Sequence, residues 1–314
     1  EFGRNAKVFD PNKVVIIPRD FSLFTRIDAD ERVQARFAAV GMGFLYEGRL
    51  ILQDGVNQQG LMGALLYYPR YACYRDAAEP GTSGVQPSLL IPYILSQCGS
   101  IDEAESALRK ITLLNEKGFE GLGTPPLHYI FSDASGNTLV AEPDKAGLSI
   151  YRDTVGVLTN SPEYPWHETN LNNYVGLRAL QPPSANFSGK SFSATGQGAG
   201  TIGLPGDYTP PSRFVRIAFL SQHALQAADE NEGVTRAMHV LASVDIPLGV
   251  VQEADQGYDH TYYTSCVCAE SGRYYFHTYG CRRIACVSLG TQADSAKELT
   301  IFEVPDRQDI LQLN

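Results

Sequence analysis

Six cysteines and six histidines are the side chains of this chain most suited to metal or covalent chemistry, so their spacing decides what they could do. Cys266-Val267-Cys268 and the Cys281/Cys286 pair lack the CxxC spacing with which structural zinc sites close a tetrahedron. Cys266 and Cys268 would instead share one face of a strand, and the cysteines, Cys73 and Cys98 included, read as free thiols packed as small hydrophobes. His128, His167, His223, His239, His260 and His277 are scattered, with no HExxH pair, and each reads as structural. No metal and no cofactor are expected. Gly198-Ala199-Gly200-Thr201-Ile202-Gly203 spells GxGxxG, yet Ser188–Ser193 before it is no strand and Leu204-Pro205-Gly206 after it opens no helix. Gly189-Lys190-Ser191 fails as a phosphate loop because residue 184 is serine. There is no GxSxG elbow. Residue types alone name no nucleophile.

The elements that must position any site read as strands, helices, strands, helices, strands. Val14-Val15-Ile16-Ile17 is an apolar run closed by Pro18, and 37–45, 50–52 and 61–68 follow as strands bounded by glycine or by Asp54-Gly55 turn chemistry. Residues 89–98 and 101–114 carry apolar residues at helical spacing, with Ser100 as N-cap and Glu103 as its capping-box partner. Strands return at 127–132, 138–142, 148–152 and 155–159, with a hairpin loop at Asp133–Asn137. Residues 181–212 form a Pro-, Gly- and Ser-rich excursion, of a length that is usually functional or assembly-related. Helices are predicted over 211–228 and 234–244, and strands at 262–264, 274–277 and 284–289. Sparse βα alternation predicts an α+β sandwich with mostly antiparallel sheets rather than a doubly wound fold.

Composition narrows the classes. With 43% hydrophobic residues the chain can bury a core, which excludes disorder. A net charge of −10 repels nucleic acid and anionic lipid, and no apolar run approaches the roughly 20 residues of a membrane span. The expected protein is soluble, acidic and globular, and its unpaired-looking cysteines suit the reducing cytoplasm.

Four segments taken together resemble the penicillin V acylase branch of the choloylglycine hydrolase family, within the N-terminal-nucleophile (Ntn) hydrolases. They are Asp54–Leu61, Gly156–Pro162, Trp166–Leu171 and Gly203–Phe214, and the similarity runs over essentially the whole chain. The resemblance implies a single domain over 1–314 with the four-layer αββα Ntn sandwich, a homotetramer packed through the excursion at 181–212, and a small-molecule amide substrate. It also implies an N-terminal cysteine whose thiolate attacks the amide carbonyl while its own α-amine, with a reference pKa of about 7.7–8.0, moves the proton. For the oxyanion, Asn160 supplies a side-chain N–H and Tyr67 a backbone N–H. Arg213 and Arg4 match the two arginines beside the nucleophile. Read as ordinary residues, Asn160 would end a strand in an Asx turn, Tyr67 would be an aromatic on a β face, and Trp166 would be core. Arg213, near a helix start where the dipole disfavours a cation, leans toward a functional role.

Two departures stand out. The family's N-terminal cysteine and the strand behind it precede Phe2 in the family and are absent here, and Arg4-Asn5-Ala6-Lys7 puts Lys7 where the family has an aspartate, with Asp10 nearby. No internal cysteine has a free α-amine, so the expectation is of an N-terminus truncated relative to the family and a chain inactive as it stands. Leu65-Leu66-Tyr67-Tyr68 places an aromatic where bile-salt-cleaving relatives tend to carry Asn. Stacking of its ring on a phenoxyacetyl group makes penicillin V the expected substrate, ahead of conjugated bile salts and acyl-homoserine lactones. A non-catalytic binding homologue is the reading from another class.

Overall fold

A computed structural model of the chain describes residues 12–115, 123–253, 257–290, 293 and 296–314. The Val14–Ile17 run forms the strand Lys13–Ile17, and its four apolar residues are all buried because the sheet that contains it is covered on both faces. That eight-stranded sheet runs in the order Gly147–Arg152, Thr138–Asp144, Leu127–Ser132, Met62–Tyr67, Arg49–Asn57, Ala39–Tyr46, Lys13–Ile17, Thr300–Glu303. Every pairing in it is antiparallel.

Among the described residues the layers are completed by the α-helices α1 (Leu90–Gln97), α2 (Ile101–Leu108), α3 (Tyr164–Leu171), α4 (Pro210–His223) and α5 (Glu230–Ala242). Leu90, Ile91, Ile94 and Leu95 of α1, with Ile101, Ala104 and Leu108 of α2, pack on one face against Val15, Ile17, Leu52 and Phe131. The opposite face offers Val14, Ile16, Val40, Met42 and Val56 to Tyr274 and Phe276 of a second, three-stranded antiparallel sheet, Tyr263–Cys268, Arg273–Thr278 and Ala285–Ser288. The outer face of that second sheet meets Val234 and Met238 of α5 through Tyr275 and Cys266. The stack is therefore helix, sheet, sheet, helix, the expected αββα sandwich.

Local signals hold where they are strong. Ser100 Oγ accepts the Glu103 N–H at 3.3 Å and starts α2. Asp133 and Asn137 close the expected hairpin, with Gly136 at φ 83°. Elsewhere the structure corrects the pattern. The helix expected to reach residue 114 stops at Leu108, because the buried Ile111–Leu113 pairs in parallel with Ser83–Val85. Helix α4 ends at His223, where the imidazole Nδ1 lies 2.9 Å from the Phe219 carbonyl oxygen, instead of continuing to 228. Residues 155–159 form no strand: the Val155 N–H goes to the Tyr164 hydroxyl and the Thr159 hydroxyl to the Pro210 carbonyl, so this segment is bound by side chains rather than by a ladder. The excursion at 181–212 carries a short exposed hairpin, Ala185–Phe187 with Lys190–Phe192, and the GxGxxG segment folds as a single 3₁₀ turn at Ala199–Thr201. Trp166, expected in the core, is 42% exposed on α3, edge-on to His167. Of the cysteines only Cys98 and Cys281 are buried; Cys286 is exposed and Cys73, Cys266 and Cys268 are half-buried.

Candidate active site

Tyr67 ends the strand Met62–Tyr67, Asn160 sits in the loop entering α3, and Arg213 lies in the first turn of α4. The fold joins these distant residues through the Asn160 side chain. Its Nδ2 donates to the Tyr67 carbonyl oxygen at 2.8 Å, and its Oδ1 accepts from Arg213 Nη2 at 2.6 Å. Because a carbonyl only accepts and a guanidinium only donates, the two partners fix which way the amide faces. One Nδ2 hydrogen is spent on Tyr67, and among the described residues the second has no acceptor. Arg213 Nε donates to the Tyr208 carbonyl at 2.9 Å, which ties the guanidinium to the loop before its helix.

Strand geometry sets the direction of the Tyr67 backbone. The next N–H, of Tyr68, donates to the Pro126 carbonyl on the Leu127–Ser132 side. Alternation then turns the Tyr67 N–H and C=O to the other edge, where pairing with Arg49–Asn57 has already ended at Asp54 and Ala64. All three residues line one cavity of about 480 Å³, with Asp54, Leu158 and Thr159 among its other walls. A second cavity of about 360 Å³ adjoins it and shares Asp245, Ile246, Thr261, Tyr263 and Thr264. Arg4, Lys7 and Asp10 lie outside the described residues.

Asp207 prepares the start of α4. Its carboxylate accepts the Ser212 hydroxyl at 2.6 Å, the Thr209 hydroxyl at 2.6 Å and the Thr209 N–H at 2.9 Å. Those bonds pull its carboxyl down to about 2, and the anion also sits favourably at a helix N-terminus. Arg213 is thereby held one turn into a helix whose entry is pinned.

Two features in and behind the cavity wall, Asp54 and His167, escaped the sequence. Asp54, expected in a turn with Gly55, lies inside the strand Arg49–Asn57, where the register slips between Met42 and Gly43 and leaves Gln53 as an extra, bulged residue. Gly55 is needed there for close approach, since a Cβ would stand 2.5 Å from the Val40 carbonyl oxygen. Asp54 accepts hydroxyls from Tyr263 at 2.7 Å, Ser265 at 3.0 Å and Tyr274, so the second sheet is hydrogen-bonded to the first beneath the cavity. Burial pushes its carboxyl above the usual carboxylate range, against the pull of the three hydroxyls and the Met42 backbone. The second feature is His167, fully buried, whose Nε2 lies 2.9 Å from the Asn160 carbonyl oxygen and whose ring stacks on Phe214 at 4.7 Å. Burial lowers its pKa, so the ring is neutral with the hydrogen on Nε2. The sequence marks His167 only as a histidine read as structural within the resemblance segment Trp166–Leu171, with no sign of its tie to Asn160.

What the arrangement offers is a fixed amide N–H and a strand-end backbone N–H on one cavity wall, backed by a guanidinium. Such a set stabilises negative charge developing on an oxygen. Comparison with known proteins agrees on the class. Residues 2–302 match the family model described as linear amide C–N hydrolases, choloylglycine hydrolase family. A bile salt hydrolase/transferase of Clostridium perfringens is 32% identical over 304 residues, 96% of this chain and 92% of that protein. One from Lactiplantibacillus plantarum is 33% identical over 303 residues, with the same two coverages. Among solved structures, a variant of the conjugated bile acid hydrolase from Clostridium perfringens superposes with a TM-score of 0.89 at 31% identity, covering 96% of this chain and 92% of that one. Penicillin V acylase from Agrobacterium tumefaciens gives 0.73 at 18% identity, covering 94% and 84%, a likeness of fold.

Proposed function

Because the chain belongs to the choloylglycine hydrolase family of linear amide C–N hydrolases, we propose that it forms the oxyanion-binding half of an amidase site acting on conjugated bile acids. The nucleophile of that reaction is an N-terminal cysteine placed ahead of Phe2. What supports this most is the convergence of Tyr67, Asn160 and Arg213, 93 and 53 residues apart in their pairings, on one cavity wall.

The steps follow from those groups. The thiolate sulfur bonds to the amide carbon, and the carbonyl π electrons move onto oxygen. That oxygen takes hydrogen bonds from the second Nδ2 hydrogen of Asn160 and from the Tyr67 N–H. Arg213 holds the Asn160 amide in register and carries a fixed positive charge that favours thiolate. The C–N bond then breaks, the α-ammonium gives its proton to the departing nitrogen, and water cleaves the thioester to release the acid.

The relatives move the substrate expectation from penicillin V toward conjugated bile acids, on which the proteins most similar in the comparisons are named as acting. Penicillin V is the second reading, favoured by the Tyr67 ring at the cavity. Initial rates on glycocholate and penicillin V, with a cysteine-headed strand placed before Phe2, separate the two. A faster rate on glycocholate is expected; a penicillin V preference reverses the order, and binding without turnover of either points to a non-catalytic homologue. The same reading includes a homotetramer joined through the hairpin at 185–192, whose Phe187 and Phe192 rings stand exposed and edge to face at 5.8 Å.

A further inference from the structure

Behind the two oxyanion-binding groups lies a buried polar network with no part in the steps above. His128, fully buried in the strand Leu127–Ser132, has Nε2 3.1 Å from the Thr159 carbonyl oxygen and Nδ1 2.9 Å from Glu142 Oε1. A carbonyl only accepts, so Nε2 carries a hydrogen, and one further proton lies between Nδ1 and the carboxylate. Glu142, 1% exposed, also accepts the Tyr164 N–H at 3.0 and 3.2 Å and the Tyr68 hydroxyl at 3.4 Å. The Tyr68 ring lies flat on His128, 4.4 Å between centroids and 9° between planes.

The attachment points give the network its meaning. Tyr68 follows Tyr67 directly, and Thr159 directly precedes Asn160. His167 holds the carbonyl of Asn160 itself. Two consecutive carbonyls are thus each bound by a buried imidazole, on the segment that aims one donor, while the His128 ring supports the residue beside the other. Stability alone does not ask for this, because an apolar pair of similar volume is usually as stabilising as a buried charged one. A polar network adds direction, since each bond has a single acceptable geometry.

We infer that His128, fixed by Glu142, is a positioning residue that sets the Tyr67 N–H and the Asn160 amide at their mutual spacing. This rests on the amidase reading, and it makes His128 a link between the strand carrying Tyr67 and the loop carrying Asn160. Displacing a reacting-group contact by about 1 Å costs on the order of 100-fold in rate.

The test uses Glu142→Gln, His128→Gln and His128→Leu. In the form bearing an N-terminal cysteine, kcat per titrated cysteine should fall about 10- to 100-fold in Glu142→Gln, with KM within about twofold. His128→Gln, which keeps a donor toward Thr159, should retain more kcat than His128→Leu. A purely structural role would lower the melting temperature and the yield of active sites while leaving kcat per site unchanged, and that result overturns the inference. A second readout needs no turnover: in the chain beginning at Glu1, labelled at asparagine nitrogen, the Asn160 side-chain amide resonance should shift in Glu142→Gln. An unmoved resonance overturns positioning. A shifted resonance in a protein whose cysteine-bearing form hydrolyses no amide would instead sink the amidase reading and leave the positioning intact.

Discussion

Asn160 is held at three atoms at once: Nδ2 by the Tyr67 carbonyl, Oδ1 by Arg213 and the backbone carbonyl by His167. The last of these ties the site to pH. Burial lowers the His167 pKa, so the unfolded chain binds more protons than the folded one between the two values. Stability from this residue is therefore full above the ordinary histidine value of about 6.5 and declines as pH falls below it. Melting temperature followed from pH 7.5 down to 5 should drop less steeply in His167→Gln; an unchanged slope would show that the ring is not held neutral. Tyr67 makes a different prediction, because its proposed donor is backbone. Tyr67→Ala should leave the glycocholate rate within about threefold yet lower that on penicillin V by roughly 2- to 10-fold, the range of one lost aromatic contact. Equal losses on both substrates would remove the side chain from substrate discrimination.

At the scale of elements, the start of α4 carries Arg213, and Asp207 secures that start. Asp207→Ala removes three hydrogen bonds at the entry of α4 and should cost about 1 kcal/mol. The carboxyl is pulled down to about 2 by the Ser212 and Thr209 hydroxyls, so its contribution is present above the ordinary aspartate value of about 3.9 and is lost as pH falls toward 2. Urea unfolding at pH 7 and pH 3 measures this: the gap between parent and variant should narrow at pH 3, and a gap that widens contradicts the role given to the Asp207 carboxylate. The elements themselves were legible where a signal is local. Val14–Ile17, the Ser100 cap and the Asp133–Asn137 loop each state their structure within five residues. Asp54-Gly55 misled because turn residues also serve a bulge, and only the neighbouring strand distinguishes the two. The residues proposed to bind the oxyanion came from resemblance across long motifs. His128 and His167, 39 residues apart in sequence by their numbers, gave no sign of meeting consecutive carbonyls, since that depends on a strand and a helix packed around one loop.

On the scale of the whole molecule, two sheets face each other and the cavity opens where the second sheet meets the end of Met62–Tyr67. Asp54 fastens the sheets beneath it with three hydroxyl donors. The excursion at 181–212 leaves Phe187, Phe192 and Ile202 exposed, with Val175 and Leu180 exposed just before it, the kind of apolar surface that marks an interface between copies. Light scattering should report a tetramer for the parent and smaller species for the double variant Phe187→Ser, Phe192→Ser; an unchanged mass would move the interface elsewhere.

The most direct test of the central claim is the steady-state hydrolysis of glycocholate by the cysteine-headed protein and its Asn160→Ala variant. If the Asn160 amide meets the oxyanion, kcat falls by about 100- to 1,000-fold with KM little changed. A variant that keeps the parent kcat, or loses only affinity, would contradict the account.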